Sequence, residues 1–452
     1  MKKRIRSLII ALLLSLVVGI STQQYRQQQA SLNVISWDVF GYYLYLPAAF
    51  IYHDPGITDH HWLDAIAKEY NPSPTFYQLV PGKDDKQLNV YTMGLATCYA
   101  PGFFLAHAYA HWTGYEADGF SLPYQWALLI TSFLFSCLGI FLLRTILLHF
   151  FTDRMCSILL VLVVLGTNFL FHAGFEGAMP HNFLFSMNCL IILFTLRWHE
   201  TKKSKFLLLT TLMLGWATLC RPTEAIWALL PLLWGVSDKK SFLEKRDWLL
   251  AHKLHVFLAG FIFFLMLFPQ FLYWKWAAGY WREFNNHSEK FSFLSPYTAS
   301  FLFSFKKGWL VYTPLMVFAL MGFYPLFREK RELFYCFLLF FCIHVYVVSS
   351  WECWWYASSF SQRPMVEILP LLAIPLGFFL RFADRLKLWM RLMLFPVICF
   401  LLVLNLFQTW QVVNNILDTE RMTSAYYWRI FGKTEVSDDD RALLEHPGAS
   451  VK

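Results

Sequence analysis

Residues 124–148 read YQWALLITSFLFSCLGIFLLRTILL, an apolar run whose one charge, Arg144, stands near its end. About 20 apolar residues cross the ~30 Å hydrocarbon core of a bilayer, so this stretch is long enough to span one. Comparable runs recur on either side at Ser7–Ile20, Met155–Phe171, Asn182–Leu196, Phe206–Leu219, Ala225–Val236, Leu254–Trp276, Trp309–Phe327, Leu333–Val348, Pro364–Leu380 and Leu392–Trp410. The sequence thus predicts an all-α polytopic membrane protein with about eleven transmembrane helices. Ala225–Val236 is short for a span, and Trp309–Phe327 contains Pro314. Composition agrees: 57% of the 452 residues are hydrophobic, 19% aromatic and 15% charged, less charge than a soluble domain of this size carries.

Charge sets the topology. Lys2, Lys3, Arg4 and Arg6 precede the first run, and no small-x-small cleavage site follows it, so it reads as an uncleaved span with a cytoplasmic N-terminus. Residues 22–123 form a large first outside (periplasmic) loop, in which only Arg26, Lys68, Lys83 and Lys86 are basic. Within it, Gly94–Trp112 is interrupted by Pro101-Gly102 and two histidines, and is read as an interfacial or re-entrant helix. Later loops alternate, with Arg197, Lys202, Lys203, Lys205, Lys239, Lys240, Arg328, Arg381 and Lys387 falling inside. The transmembrane domain is taken as 1–410, and a polar C-terminal tail, 411–452, lies outside. The formal charge of +8 therefore reflects membrane topology rather than nucleic-acid binding. Nine scattered cysteines without a CxxC pair indicate neither a disulfide framework nor a zinc site. No Walker or Rossmann glycine pattern and no internal repeat is present.

With this topology the unusual polar residues gather on one face. Asp38 follows the first span among aromatics, and helical spacing puts Tyr42 and Tyr45 on its side. An acid there can take a proton from a bound hydroxyl; the plainer reading is a solvated loop carboxylate. Glu176 and His181 occupy the second outside loop, and Arg221 and Glu224 the third, where an i,i+3 ion pair is the structural alternative. Trp281-Arg282-Glu283 and Lys306-Lys307 fall in the fourth, with the lysines otherwise interfacial anchors. Trp351 and Trp355 in the fifth are an aromatic belt or a sugar-stacking platform. Arg363, beside Pro364 at a span end, has a phosphate as its natural partner. His53, His60 and His61 with Asp54 and Asp59 match no recognised metal spacing, so a divalent metal is optional.

These residues carry a resemblance. The Asp38, Tyr42, Tyr43, Tyr45, Pro47 stretch, Met179-Pro180-His181-Asn182, Leu219-Cys220-Arg221-Pro222-Thr223, Lys307-Gly308-Trp309-Leu310-Val311-Tyr312-Thr313-Pro314 and Ser359-Phe360-Ser361-Gln362-Arg363 resemble the GT-C superfamily of polytopic glycosyltransferases. Within it they look like bacterial members of the protein O-mannosyltransferase and aminoarabinose-transferase type. One departure stands out: the family often has an Asp-Glu pair in the first loop, whereas here Asp38 is followed by Val39.

The resemblance implies a multi-pass enzyme of the bacterial inner membrane. It implies transfer of a sugar, with inversion, from a polyprenyl-phosphate donor to an envelope glycan, lipid or protein acceptor on the outer side. Asp38 would be the general base. Arg363, Arg221, Lys306 and Lys307 would hold the donor phosphate, and Tyr42, Tyr45, Glu176, His181, Trp351 and Trp355 the sugar or acceptor. Two alternatives stay open. A transporter or lipid flippase would place its charges near the bilayer midplane rather than at span ends. An O-antigen ligase or polymerase usually offers its large outside loop late in the chain, whereas here it comes first.

Overall fold

In the computed structural model, residues 4–28, 32–281 and 290–446 are described. Lys2, Lys3, Arg282 and Glu283 lie outside them. The elements in chain order are α1 (Arg6–Gln28), α2 (Trp37–Tyr43), α3 (Tyr45–Phe50), α4 (His60–Tyr70), strands β1 (Leu79–Pro81) and β2 (Gln87–Asn89), α5 (Gly94–Thr113), α6 (Leu122–Phe150) and α7 (Asp153–Leu165). A π-turn, Phe171–Phe175, precedes α8 (Pro180–Thr201) and α9 (Ser204–Cys220). After a 3-10 segment, Pro222–Ala228, come α10 (Leu229–Leu233), α11 (Lys239–Ala251), α12 (Lys253–Ala277), α13 (Thr298–Phe303), α14 (Trp309–Tyr312), α15 (Met316–Met321), α16 (Phe323–Glu329) and α17 (Arg331–Ser349). A second 3-10 segment, Arg363–Val366, leads into α18 (Leu369–Ala383), followed by α19 (Leu388–Val413), α20 (Ser424–Ile430) and α21 (Asp438–Arg441).

Five of these, α1, α6, α12, α17 and α19, are long and apolar enough to cross a membrane by length and composition among the described residues. The 29 residues of α6 extend about 43 Å at 1.5 Å per residue. Of the other predicted runs, Asn182–Leu196 and Phe206–Leu219 lie in the unbroken α8 and α9, whereas others are realised as shorter or broken pieces. Residues 309–327 split into α14, α15 and α16 around Pro314 and Gly322, because proline cannot donate a backbone hydrogen bond and its ring crowds the preceding turn. Met155–Phe171 becomes the 13-residue α7 and the start of the π-turn. Broken helices of this kind are tolerated where neighbouring protein satisfies the freed backbone groups.

Small residues and buried hydroxyls let the helices approach, as expected where lipid offers no hydrophobic gain from association. A Cβ at Gly139 of α6 would collide with Phe185 and Ser186 of α8. Close by, Asn182 of α8 donates to Ser136 Oγ at 2.9 Å and to the Ser132 carbonyl at 3.1 Å. At one end of the bundle Asp153 caps α1, accepting from the backbone N–H groups of Arg6 and Ser7 at 3.0 and 3.2 Å.

The first loop folds as a layer of its own against the bundle. β1 and β2 pair antiparallel, Leu79 opposite Asn89. Tyr52 stacks on Trp62 with ring centroids 4.2 Å apart, and Tyr70 donates to Asp118 at 2.6 Å. Asn89 binds the Gly41 carbonyl at 2.7 Å through its side-chain amide, and its backbone N–H donates to Tyr273 of α12 at 2.9 Å. Residues 94–112 lie in one continuous 20-residue helix, α5, despite Pro101. It starts where Gly94 abuts the last residues of α9 and runs along α6, where His107 meets Tyr124.

Residues after 410 are more than a polar tail. The boundary falls inside α19, and Ile416, Leu417, Met422, Tyr426 and Ile430 form a second apolar cluster with Phe171, Tyr312 and Phe360 of the bundle. The polarity of the segment hid this, because its few apolar residues are spaced to meet one patch.

Candidate functional site

Asp38 enters the site from a strained turn. Trp37 before it has a φ of +51°, a left-handed conformation that bulky residues avoid and that concentrates at functional positions. Asp38 lies in the first turn of α2 with its side chain 23% exposed. Its Oδ1 accepts from the hydroxyls of Tyr77 and Tyr91, both at 2.7 Å, and Arg363 Nη2 lies 3.3 Å from its Oδ2. Burial pushes the Asp38 carboxyl up, but the Arg363 guanidinium and the two phenols outweigh it and hold the group below the usual carboxylate range. Asp38 is thus ionised, accessible and fixed.

Arg363 is delivered in a similar way. Tyr356, Ala357 and Ser361 all take positive φ, between 51° and 56°, in the turn that precedes it. Pro364 then starts the 3-10 segment that leads into α18. The Arg363 side chain is 11% exposed.

Next to this pair lies a second one. Arg221, the residue following α9, places Nη1 2.6 Å from Glu367 Oε1 and its guanidinium 5.3 Å from the Tyr356 ring centre. The Arg221 side chain is 16% exposed, whereas Glu367 is fully buried. His181 at the start of α8 also reaches Glu367 Oε1, at 2.8 Å through Nδ1. Asn188, two turns further along α8, donates to Glu224 Oε2 at 2.8 Å and to the Glu367 carbonyl at 3.0 Å. The phenol of Tyr42 lies within the field of Asp38, Arg221 and Arg363, and its ring packs on Tyr91 at 4.5 Å. Glu176 flanks the group with Oε2 3.1 Å from His172 Nδ1, out of line for a hydrogen bond, and the His172 ring meets that of His181 edge-on.

Of the residues singled out in the sequence, Asp38, Tyr42, Arg363, Arg221, His181 and Glu176 come together. Tyr45 turns aside, because α2 ends before Leu44 and α3 starts anew; its hydroxyl donates to the Tyr91 carbonyl at 2.6 Å, supporting a site residue rather than lining the site. Lys307 is buried, donates to Ser359 Oγ at 3.0 Å and to the Ser359 carbonyl, and is pushed down to about 7 by burial against the pull of Glu176. Lys306 points the other way, to Glu445 at 2.8 Å, with its ammonium over Trp355. Trp351 packs against Tyr356 at 4.7 Å, one layer behind Arg221. Arg221 and Glu224 do not form the i,i+3 pair the spacing allows, since the 3-10 segment sends Arg221 to Glu367 and Glu224 to Asn188.

Sequence reasoning passed over Tyr77, Tyr91, His172, Asn188 and Glu367. Glu367 had a legible signal: it is a carboxylate just inside an apolar run, where an ionisable group is costly without a partner. The two tyrosines had none, standing 39 and 53 residues from Asp38.

The donor set does not suit a divalent cation. Asp38 is flanked by two phenols and a guanidinium, and no group of three or more His, Cys, Asp or Glu side chains is gathered for a metal among the described residues. Asp54 instead accepts from Thr58 and Asp59 backbone N–H groups, and Asp59 caps α4.

The fold has a counterpart among solved structures. The chain is similar to the crystal structure of the Archaeoglobus fulgidus oligosaccharyltransferase in its apo form, with a TM-score of 0.53 and 12% identity over 99% of this chain. The shared fold is the GT-C fold. This chain spans 60% of the length of that one. No protein-family model and no curated protein matches the sequence. The likeness is one of fold alone, which is the level at which it agrees with the expected polytopic architecture.

Proposed function

We propose that the protein is a membrane glycosyltransferase that moves a sugar from a polyprenyl-phosphate donor to a hydroxyl acceptor, an envelope glycan, lipid or protein, on the outer face of the plasma membrane. The observation that carries this reading is the juxtaposition of an accessible, ionised Asp38 with Arg363 at 3.3 Å and with the Arg221 pair beyond it. A proton acceptor and two phosphate-binding cations thus meet at helix ends within a GT-C fold.

In the reaction, the acceptor oxygen attacks the anomeric carbon and hands its proton to Asp38, while the bond from that carbon to the phosphate oxygen breaks. Attack from the side opposite the leaving group inverts the centre. The electron pair of the broken bond stays on the phosphate, where Arg363 and Arg221 stabilise it through charge-assisted hydrogen bonds. General-base assistance of this kind contributes about 10²–10⁴ in rate. The donor phosphate also draws Arg363 away from Asp38. This weakens the hold that keeps the carboxyl low, so Asp38 becomes the stronger base once donor is bound. The prenyl chain lies among the spans and Glu176 borders the sugar, whereas His181, expected to touch sugar or acceptor, is buried and instead holds Glu367 behind Arg221.

The test is transfer from a purified polyprenyl-phosphate sugar in membranes, wild type against Asp38→Asn at matched expression. Transfer by the wild type and none by Asp38→Asn supports the reading; no transfer by the wild type from any such donor refutes it.

A further inference from the structure

Glu367 is a fully buried carboxylate joined to a cation that reaches into the accessible site. A second carboxyl, Glu224, is equally buried beside it, and the two side chains lie within hydrogen-bonding reach of each other. Among the described residues Glu224 Oε1 and Glu367 Oε2 have no other hydrogen-bond partner. Two carboxylates in contact do not both ionise, and one shared proton satisfies both oxygens. The pair therefore carries one negative charge, on the oxygen that Arg221 and His181 hold at 2.6 and 2.8 Å. With Asp38 set against Arg363 and Glu367 against Arg221, the site is close to neutral before any phosphate enters.

That balance matters for a lipid-phosphate reaction. The donor is a phosphodiester with one negative charge. Breaking its sugar bond leaves a phosphomonoester, whose second ionisation falls near pH 6, so the product carries close to two charges at pH 7. A site with two unopposed arginines would hold product more tightly than donor, and release would limit turnover. We infer that Glu367 is a built-in counter-anion that weakens the grip of Arg221 on the spent lipid phosphate and so promotes its release. The inference rests on the functional reading above, in which Arg221 binds phosphate.

The experiment measures binding of undecaprenyl phosphate to the full-length protein in nanodiscs. Wild type is compared with Glu367→Gln, and with Glu224→Gln/Glu367→Gln to cover ionisation of Glu224 in place of Glu367. Removing one charge a few ångströms from the phosphate through a partly screened medium is expected to tighten binding about tenfold. A merely structural role would weaken it, so the sign decides. Unpairing the half-buried Arg221 also lowers the melting temperature, and undecaprenyl phosphate should restore more of it in the variants than it adds in wild type. Unchanged or weaker binding in both variants overturns the inference while leaving the transferase reading standing. Wild type that neither binds undecaprenyl phosphate nor transfers from it removes both. Should neither variant fold, wild type alone decides: it is expected to bind undecaprenyl phosphate no more tightly than its methyl phosphodiester. A product about tenfold tighter than the diester at pH 8 would show that no counter-anion is at work.

Discussion

Replacing Tyr91 or Tyr77 by Phe should move the acid limb of the pH–rate profile upward. Each phenol donates at 2.7 Å to the same oxygen of Asp38. A hydrogen bond to a charged group is worth about 1.5–3 kcal/mol, and about 1.4 kcal/mol corresponds to one pH unit. The Asp38 side chain is 23% exposed, and Tyr77 is 38% exposed, so water replaces part of each lost bond and the low end of the range applies. One substitution is therefore expected to raise the Asp38 pKa enough to lower kcat/KM on the acid limb about tenfold, and the double substitution to lower it about a hundredfold. The sign is fixed by role. Asp38 must be ionised to act as base, its folded value is depressed, and activity is lost as pH falls through that value. Any stability it contributes is likewise present above the unfolded value and lost as pH falls through the folded one. The assay is kcat/KM for sugar transfer between pH 4 and 8, which reports groups of the unliganded enzyme. An acid limb that does not move in Tyr77→Phe/Tyr91→Phe would refute both the role of Asp38 as base and the hold these phenols are argued to exert on it.

Four further outcomes are expected. Asp38→Asn should insert and melt like wild type yet lose transfer; retained transfer would shift the base role to Glu176. Arg363→Ala should raise the donor KM by about tenfold or more, matching the ~1.5–3 kcal/mol of a charge-assisted contact, with little change in insertion. Unaltered donor use in that variant would leave the phosphate to Arg221. Gly94→Ala should lower the melting temperature in detergent by the equivalent of about 1–3 kcal/mol, because the added methyl overlaps the backbone of Leu219 and Cys220 just before Arg221; an unchanged melt would mean that α5 and α9 are not in close contact. Reporter fusions at Lys203, Lys240 and Lys387 should read as cytoplasmic and those at Asp85 and Asp438 as external, and a cytoplasmic reading at Asp85 would put Asp38 on the wrong face.

The class of fold and several residues of the candidate site were legible from composition and spacing alone. Long apolar runs such as 124–148 announce membrane spans because bilayer thickness sets their length, whatever they pack against. Asp38, Arg221 and Arg363 stood out for a similar local reason: a charge at the end of an apolar run is costly unless something answers it. What answers each of them was decided only by tertiary structure. Asp38 is held by Tyr77 and Tyr91 from the far side of the first loop, and Arg221 chose Glu367, 146 residues away, over its near neighbour Glu224. Such pairings depend on where broken helices and left-handed turns aim side chains, as at Pro314, Trp37 and Ser361, and helical periodicity carries no record of that. The same holds for residues after 410, whose few apolar side chains become a core only when the surface of Phe171, Tyr312 and Phe360 is there to receive them.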